Sequence, residues 1–86
     1  SDRWHHGVMA RVRIISRMGC HLCEDAEVVV RAVCLEVGED YAVTLIDDNP
    51  DLADQYAEFV PVIMVDGQQL DFYGVDAQRL RDRLVR

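Results

Sequence analysis

The sequence predicts an α/β domain in the order β-α-β-α-β-β-α, a mixed four-stranded sheet carrying three helices. Three observations lead there. Short runs rich in β-branched residues alternate with segments whose apolar residues recur at helical spacing. The first two runs are separated by a helix-length segment, and a strand–helix–strand unit with a right-handed crossover leaves its strands parallel. The last two runs are joined by Asp66-Gly67, the strongest two-residue hairpin signal in the chain, which makes them antiparallel.

Val8–Ile15 reads as the first strand, with alternation over Ala10–Ile14, and Ser16-Arg17-Met18-Gly19 breaks it. From Leu22 to about Val37 the residues Leu22, Ala26, Val29, Val33 and Val37 form a helical stripe, and Gly38 suits the position just past a helix end. Val28-Val29-Val30 has poor helix propensity, so burial has to hold this helix. Tyr41–Ile46 is the second strand. Asn49-Pro50-Asp51 supplies a capping side chain, a proline in the first turn and an acid behind it, starting a helix that runs to about Phe59. Val60–Val65 is a short buried strand opening in Pro61, and Gln68–Phe72 returns from the hairpin. Gly74-Val75-Asp76 breaks the chain again. Asp76 then caps a last helix with Ala77, Leu80 and Leu84 on one face and arginines toward its C-terminus, where the dipole favours cations.

At 86 residues, half of them apolar, the chain suffices for one small packed domain. Residues 8–86 are taken as that domain, and residues 1–7, with Trp4-His5-His6, as an N-terminal extension, native or added. The polar start lacks a signal-peptide pattern and no apolar run approaches the ~18 residues of a spanning helix, so a cytoplasmic protein without a membrane segment is expected, as a monomer. A net charge of −7 argues against nucleic-acid binding, which needs a basic face. Between Glu24 and Glu58 acids dominate and Arg31 is the only base, whereas arginines gather at Arg11, Arg13 and Arg17 and at Arg79, Arg81, Arg83 and Arg86. The acidic stretch is either a solvated surface or a docking face for a basic partner.

Three cysteines cannot close a disulfide framework, and structural disulfides are rare in a reducing compartment, so cysteine here means chemistry, metal or packing. Gly19-Cys20-His21-Leu22-Cys23 sits where the first strand passes into the first helix. A cysteine at a helix N-terminus has its thiolate stabilised by free backbone N–H groups and the positive end of the dipole, which lowers its pKa from about 8.5. Cys20 is therefore the candidate nucleophile. Cys23, nearly one turn on, is placed to attack a mixed disulfide on Cys20 and release the product. His21 either favours Cys20 ionisation as an imidazolium or is a solvent-facing loop residue. Cys34 lies on the same helix face roughly 16 Å further along, beyond the ~7 Å between Cα atoms that a disulfide allows, and reads as a buried small apolar residue. Phe72 and Tyr73 read as hairpin packing, or as aromatics lining a substrate groove.

Cys20-His21-Leu22-Cys23, Val60-Pro61 and the element order resemble the glutaredoxin-like branch of the thioredoxin superfamily, over about residues 8–86. More narrowly they look like its short bacterial members with a Cys-His-Leu-Cys-type motif. The resemblance implies a thioredoxin-like fold and a thiol–disulfide oxidoreductase acting on protein or mixed disulfides, with a reductase or glutathione as electron donor and no tightly bound cofactor. It implies that Pro61 is cis and that Val60 offers backbone hydrogen bonds to a bound disulfide substrate. It also makes Arg17, ahead of the motif, and Gly74 and Asp76, ahead of the last helix, candidates for a glutathione site. The sequence departs from the wider pattern in having Gly19 where thioredoxins place Trp, and His21-Leu22 where dithiol glutaredoxins place Pro and Tyr.

Two other functions compete. Cys20 and Cys23 would be half a zinc site, with His5, His6 or His21 as the remaining ligands, but no second Cys-x-x-Cys exists. A thioredoxin-fold adaptor that binds without turnover is the third reading, and the intact dithiol argues against it. Haem attachment fails because Glu24, not His, follows Cys23.

Overall fold

The structure, a computed structural model, describes residues 10–85. Strands β1 (Val12–Ser16), β2 (Tyr41–Leu45), β3 (Val62–Val65) and β4 (Gln68–Phe72) alternate with helices α1 (His21–Val37), α2 (Pro50–Tyr56) and α3 (Ala77–Leu84) in the expected order. The sheet runs β2-β1-β3-β4, so β1 and β3 are internal and β2 and β4 are edges. β1 pairs parallel with β2 from Val12↔Tyr41 to Ser16↔Leu45, and antiparallel with β3 from Val12↔Val65 to Ile15↔Val62. β3 and β4 pair antiparallel through a bulge that leaves Leu70 as the extra residue of β4. The Asp66-Gly67 turn has φ of 53° and 82°, the double positive φ that a tight hairpin matching the strand twist requires.

Strand alternation divides the core between the two faces of the sheet. On one face Val12, Ile14, Ile63 and Val65 meet Ala26, Val30, Val33 and Cys34 of α1 and Leu80 and Leu84 of α3. Glu36 of α1 and Arg81 of α3 form a two-toothed ion pair across the same two helices. On the other face Ile15 and Val62 meet Cys20, Cys23, Ile46 and Val60, with Leu52, Ala53, Tyr56 and Ala57 lying partly buried over them. Helix α2 contributes no fully buried residue, so this second cluster is thin.

Several element limits differ from expectation. Ala10 and Arg11 precede the first strand, and its proposed start at Val8 lies outside the described residues, as do His5, His6 and Arg86. Ile46 leaves β2 to open a 3-10 turn (Ile46–Asp48) that brings Asn49 round to cap α2, accepting from Leu52 N at 3.2 Å. α2 stops at Tyr56 rather than Phe59, because Phe59 N bonds back to Tyr56 O at 2.8 Å in a closing turn. Val60 and Pro61 stand before β3 instead of within it, joined by a cis peptide. The α1 stripe is rotated from the one expected. Cys23, Ala26, Val30, Val33 and Cys34 are buried, whereas Leu22 is 53% exposed and Val29 and Val37 are half-buried. α3 covers one side of α1 and the sheet another, so the buried arc shifts toward Val30. Asp76 caps α3 as expected, its Oδ1 accepting from Arg79 N at 3.1 Å.

Arg11 ties the end of the sheet remote from the cysteines. Its guanidinium binds both oxygens of Asp66 at 2.9 and 3.0 Å, Glu39 at 2.9 Å and the Leu84 carbonyl at 3.2 Å. One side chain thus joins the hairpin, the exit of α1 and the end of α3.

Candidate functional site

β1 ends at Ser16, and a turn through Arg17, Met18 and Gly19 (φ 69°) delivers Cys20 to the N-cap of α1. Cys20 has extended backbone (φ −103°, ψ 111°), its carbonyl accepts the first helical bond from Glu24 N at 3.1 Å, and its sulfur accepts from Cys23 N at 3.2 Å. Helix formation thus points an otherwise unpaired amide at the first cysteine. Cys20 and Cys23 are joined as a disulfide, with Cα atoms 5.2 Å apart. Both cysteines are buried, Cys20 at 8% exposure and Cys23 at 3%.

Val60 packs with both cysteines, and Pro61 is buried behind a cis bond, the isomer that the sequence resemblance implied. Arg17 is exposed and has no ion pair among the described residues. His21 is exposed at the first position of α1, beside Cys20. Gly74 lines a cleft of about 200 Å³ with Leu22, Asp25, Ala26, Val29, Tyr73 and Val75, so the loop before α3 does face the motif. Asp76 is turned to its own helix, and its amide donates to Asp71 Oδ2 at 3.2 Å. Cys34 is buried and unpaired in the far cluster, where burial and then the nearby Glu39 and Asp40 push its thiol up to about 11.

One contact at the site is not apparent in the sequence. Asp47, in the 3-10 turn after β2, accepts from Met18 N at 3.0 Å and so holds the turn that presents Cys20. The parallel register Ser16↔Leu45 places these two loops side by side, so the signal was available once that register was known. Arg31, the lone base of the acidic stretch, is engaged with Glu27 and with the Tyr41 hydroxyl. Among the described residues, no group of three or more His, Cys, Asp or Glu side chains is arranged to hold a metal ion, and no helix is long and apolar enough to cross a membrane.

A four-stranded mixed sheet with a cysteine pair opening its first helix, opposite a cis-proline turn, defines a thioredoxin-fold protein of the glutaredoxin-like kind. The family follows from the sequence profile: residues 11–85 match the Glutaredoxin-like domain (DUF836), and the chain belongs to that family. The solution structure of protein XcR50 from X. campestris is 32% identical, covering 90% of this chain and 94% of that one, with a TM-score of 0.71. That of protein Ne2328 from Nitrosomonas europaea is 28% identical, covering 86% and 89%, with a TM-score of 0.73. Fasciola hepatica thioredoxin, at 22% identity over 87% of this chain and 77% of its own, shares the fold with a TM-score of 0.57.

Proposed function

We propose that this protein is a thiol–disulfide oxidoreductase in which Cys20 attacks and Cys23 resolves. The observation that carries the reading is the disulfide-linked pair at the N-terminus of α1, packed against Val60 and the cis Val60–Pro61 turn. In the reduced protein a thiolate at Cys20 keeps the Cys23 amide as donor and gains from the positive helix end.

The thiolate attacks one sulfur of a substrate disulfide; a Cys20–substrate bond forms and the other substrate sulfur leaves as thiolate. Cys23, deprotonated in turn, attacks the Cys20 sulfur, restoring the Cys20–Cys23 disulfide and releasing the second substrate thiolate. Two electrons pass from the protein dithiol to the substrate. The Val60 backbone is the candidate for binding the substrate main chain. A free Cys34 thiol beside a single dithiol suits a reducing cytoplasm, where we place the protein.

A protein dithiol fits the role of electron donor better than glutathione. Glutathione brings two carboxylates, which need cations or helix-end amides. The Asp76 amide ahead of α3 is already taken by Asp71, the Asp76 carboxylate fills the cap, and Asp25 borders the same cleft. Arg17 remains as the nearby basic side chain.

The test is trapping and turnover with the purified chain. Cys23→Ser should accumulate a mixed disulfide with substrate, while Cys20→Ser should abolish turnover. The oxidised wild type should be reduced faster by thioredoxin reductase with its thioredoxin than by glutathione with glutathione reductase. Mixed disulfides on Cys23 in the Cys20→Ser protein, with none on Cys20 in the other, would reverse the assignment.

A further inference from the structure

Beside the disulfide lies an apolar strip that the fold does not use. Leu22, between the two cysteines, is more than half exposed and shares the 200 Å³ cleft with Tyr73. Tyr73 lies tilted against Phe72 with 5.0 Å between ring centroids, and Phe72 meets Phe59 edge-on at 6.0 Å. Phe59 leads directly into the Val60–Pro61 turn. All three rings stay exposed, which is unusual for large aromatics that elsewhere drive burial.

Tyr73 is the telling residue. Its φ is 65°, in the left-handed region that a bulky side chain occupies only at a cost and that glycine adopts freely. A bond from Tyr73 N to Phe59 O at 3.1 Å pins it there, with the residue 51% exposed. Neither burial nor backbone preference therefore accounts for tyrosine at this position.

The strip carries acids at both ends. Asp25 lines the cleft with Tyr73, and the exposed Glu58 directly precedes Phe59. Neither has an ion-pair partner among the described residues. Unpaired acids beside an apolar strip select a complementary surface: apolar at its centre, cationic at its flanks.

We infer that Leu22, Tyr73, Phe72 and Phe59 form a docking strip for an extended segment of a partner protein that carries apolar residues next to its reactive cysteine and Arg or Lys on either side. This names the substrate class of the dithiol and so rests on the redox reading above. Tyr73 is its specificity-determining residue, and the acids select the cationic flanks.

The experiment is single-turnover reduction by the reduced full chain of three disulfides. Two are peptides of equal length with a cysteine, held as a mixed disulfide with a small thiol, beside Leu and Phe; one is flanked by Arg, the other by Glu. The third is neutral 2-hydroxyethyl disulfide. At low ionic strength the Arg-flanked peptide should react about tenfold faster than the Glu-flanked one, and added salt should shrink that ratio. Tyr73→Gly, which relieves the backbone, should lower the ratio of the Arg-peptide rate to the small-disulfide rate about fivefold. The double variant Asp25→Asn with Glu58→Gln should narrow the Arg-to-Glu ratio without touching the backbone at residue 73. Equal rates for the two peptides, or an unaltered peptide-to-small-disulfide ratio in Tyr73→Gly, would overturn the docking strip. Failure to reduce all three disulfides would overturn the redox reading itself.

Discussion

Val62 and Val65 sit in the same strand, both fully buried, on opposite faces of the sheet. Val62 packs with Cys20 and Cys23; Val65 packs with α1 and α3. Truncating either to Ala removes two methyl groups, each worth about 0.8 kcal/mol, and leaves a partly collapsed cavity, so each should cost about 2 kcal/mol. A chain of this length has roughly 4–13 kcal/mol in total, so both variants stay folded, with Tm lower by about 8–16 °C. Denaturant melts of the oxidised proteins should therefore show two similar midpoints and unchanged slopes. The dithiol should separate them. The cluster under the disulfide is thin, and 1.4 kcal/mol lost from its local opening corresponds to tenfold in the open population. In the reduced proteins, Cys23 should be alkylated about tenfold faster in Val62→Ala than in wild type, and within about twofold of wild type in Val65→Ala. Equal acceleration in the two would show that Cys23 is exposed by global unfolding alone, and the division of the core into a site face and a support face would fail.

Two further outcomes follow from charge and burial. The hydrogen bonds from Arg11 hold the Asp66 carboxyl below its ordinary 3.8, so their stabilisation is complete above that value and lost as pH falls through the depressed one. Acid titration of the unfolding midpoint below about pH 4 should fall more steeply for wild type than for Arg11→Met, and parallel curves would contradict the pairing. Cys34 ionises near 11 instead of 9.0, so the unfolded chain loses this proton first and stability drops as pH rises between those values. Cys34→Ala should lessen that drop, and the folded wild type should resist iodoacetamide at Cys34 at pH 7.5; rapid labelling there would contradict its burial.

The element order was legible because each junction carried its own chemistry. Asp66-Gly67 adopts two positive φ angles that few other pairs tolerate, and Asn49 and Asp76 each accept the third amide of the helix they cap. What the sequence did not carry were features decided by more than one element. The shift from Leu22 to Val30 in the buried face of α1 depends on where α3 lands, and Ala77–Leu84 states only that α3 is amphipathic. The Leu70 bulge depends on how β4 must bend past β3 while returning from a turn whose geometry is already set.

The site divides along the same line. Cys20 and Cys23 were readable because their chemistry is local: four consecutive residues and a helix end bring the sulfurs together. Asp47 was not readable, because its hydrogen bond to Met18 N exists only after β1 and β2 pair in parallel. Tyr73 lies between these cases. The sequence offers its side chain as a groove residue, but its positive φ accompanies the bond to Phe59 O, made when the end of β4 comes to lie against the turn leading to Pro61. The fold thus builds a redox centre from a contiguous motif and surrounds it with groups recruited from the ends of three strands. The motif decides what chemistry is possible. The recruited groups shape the surface around it, and here they include three exposed aromatic rings.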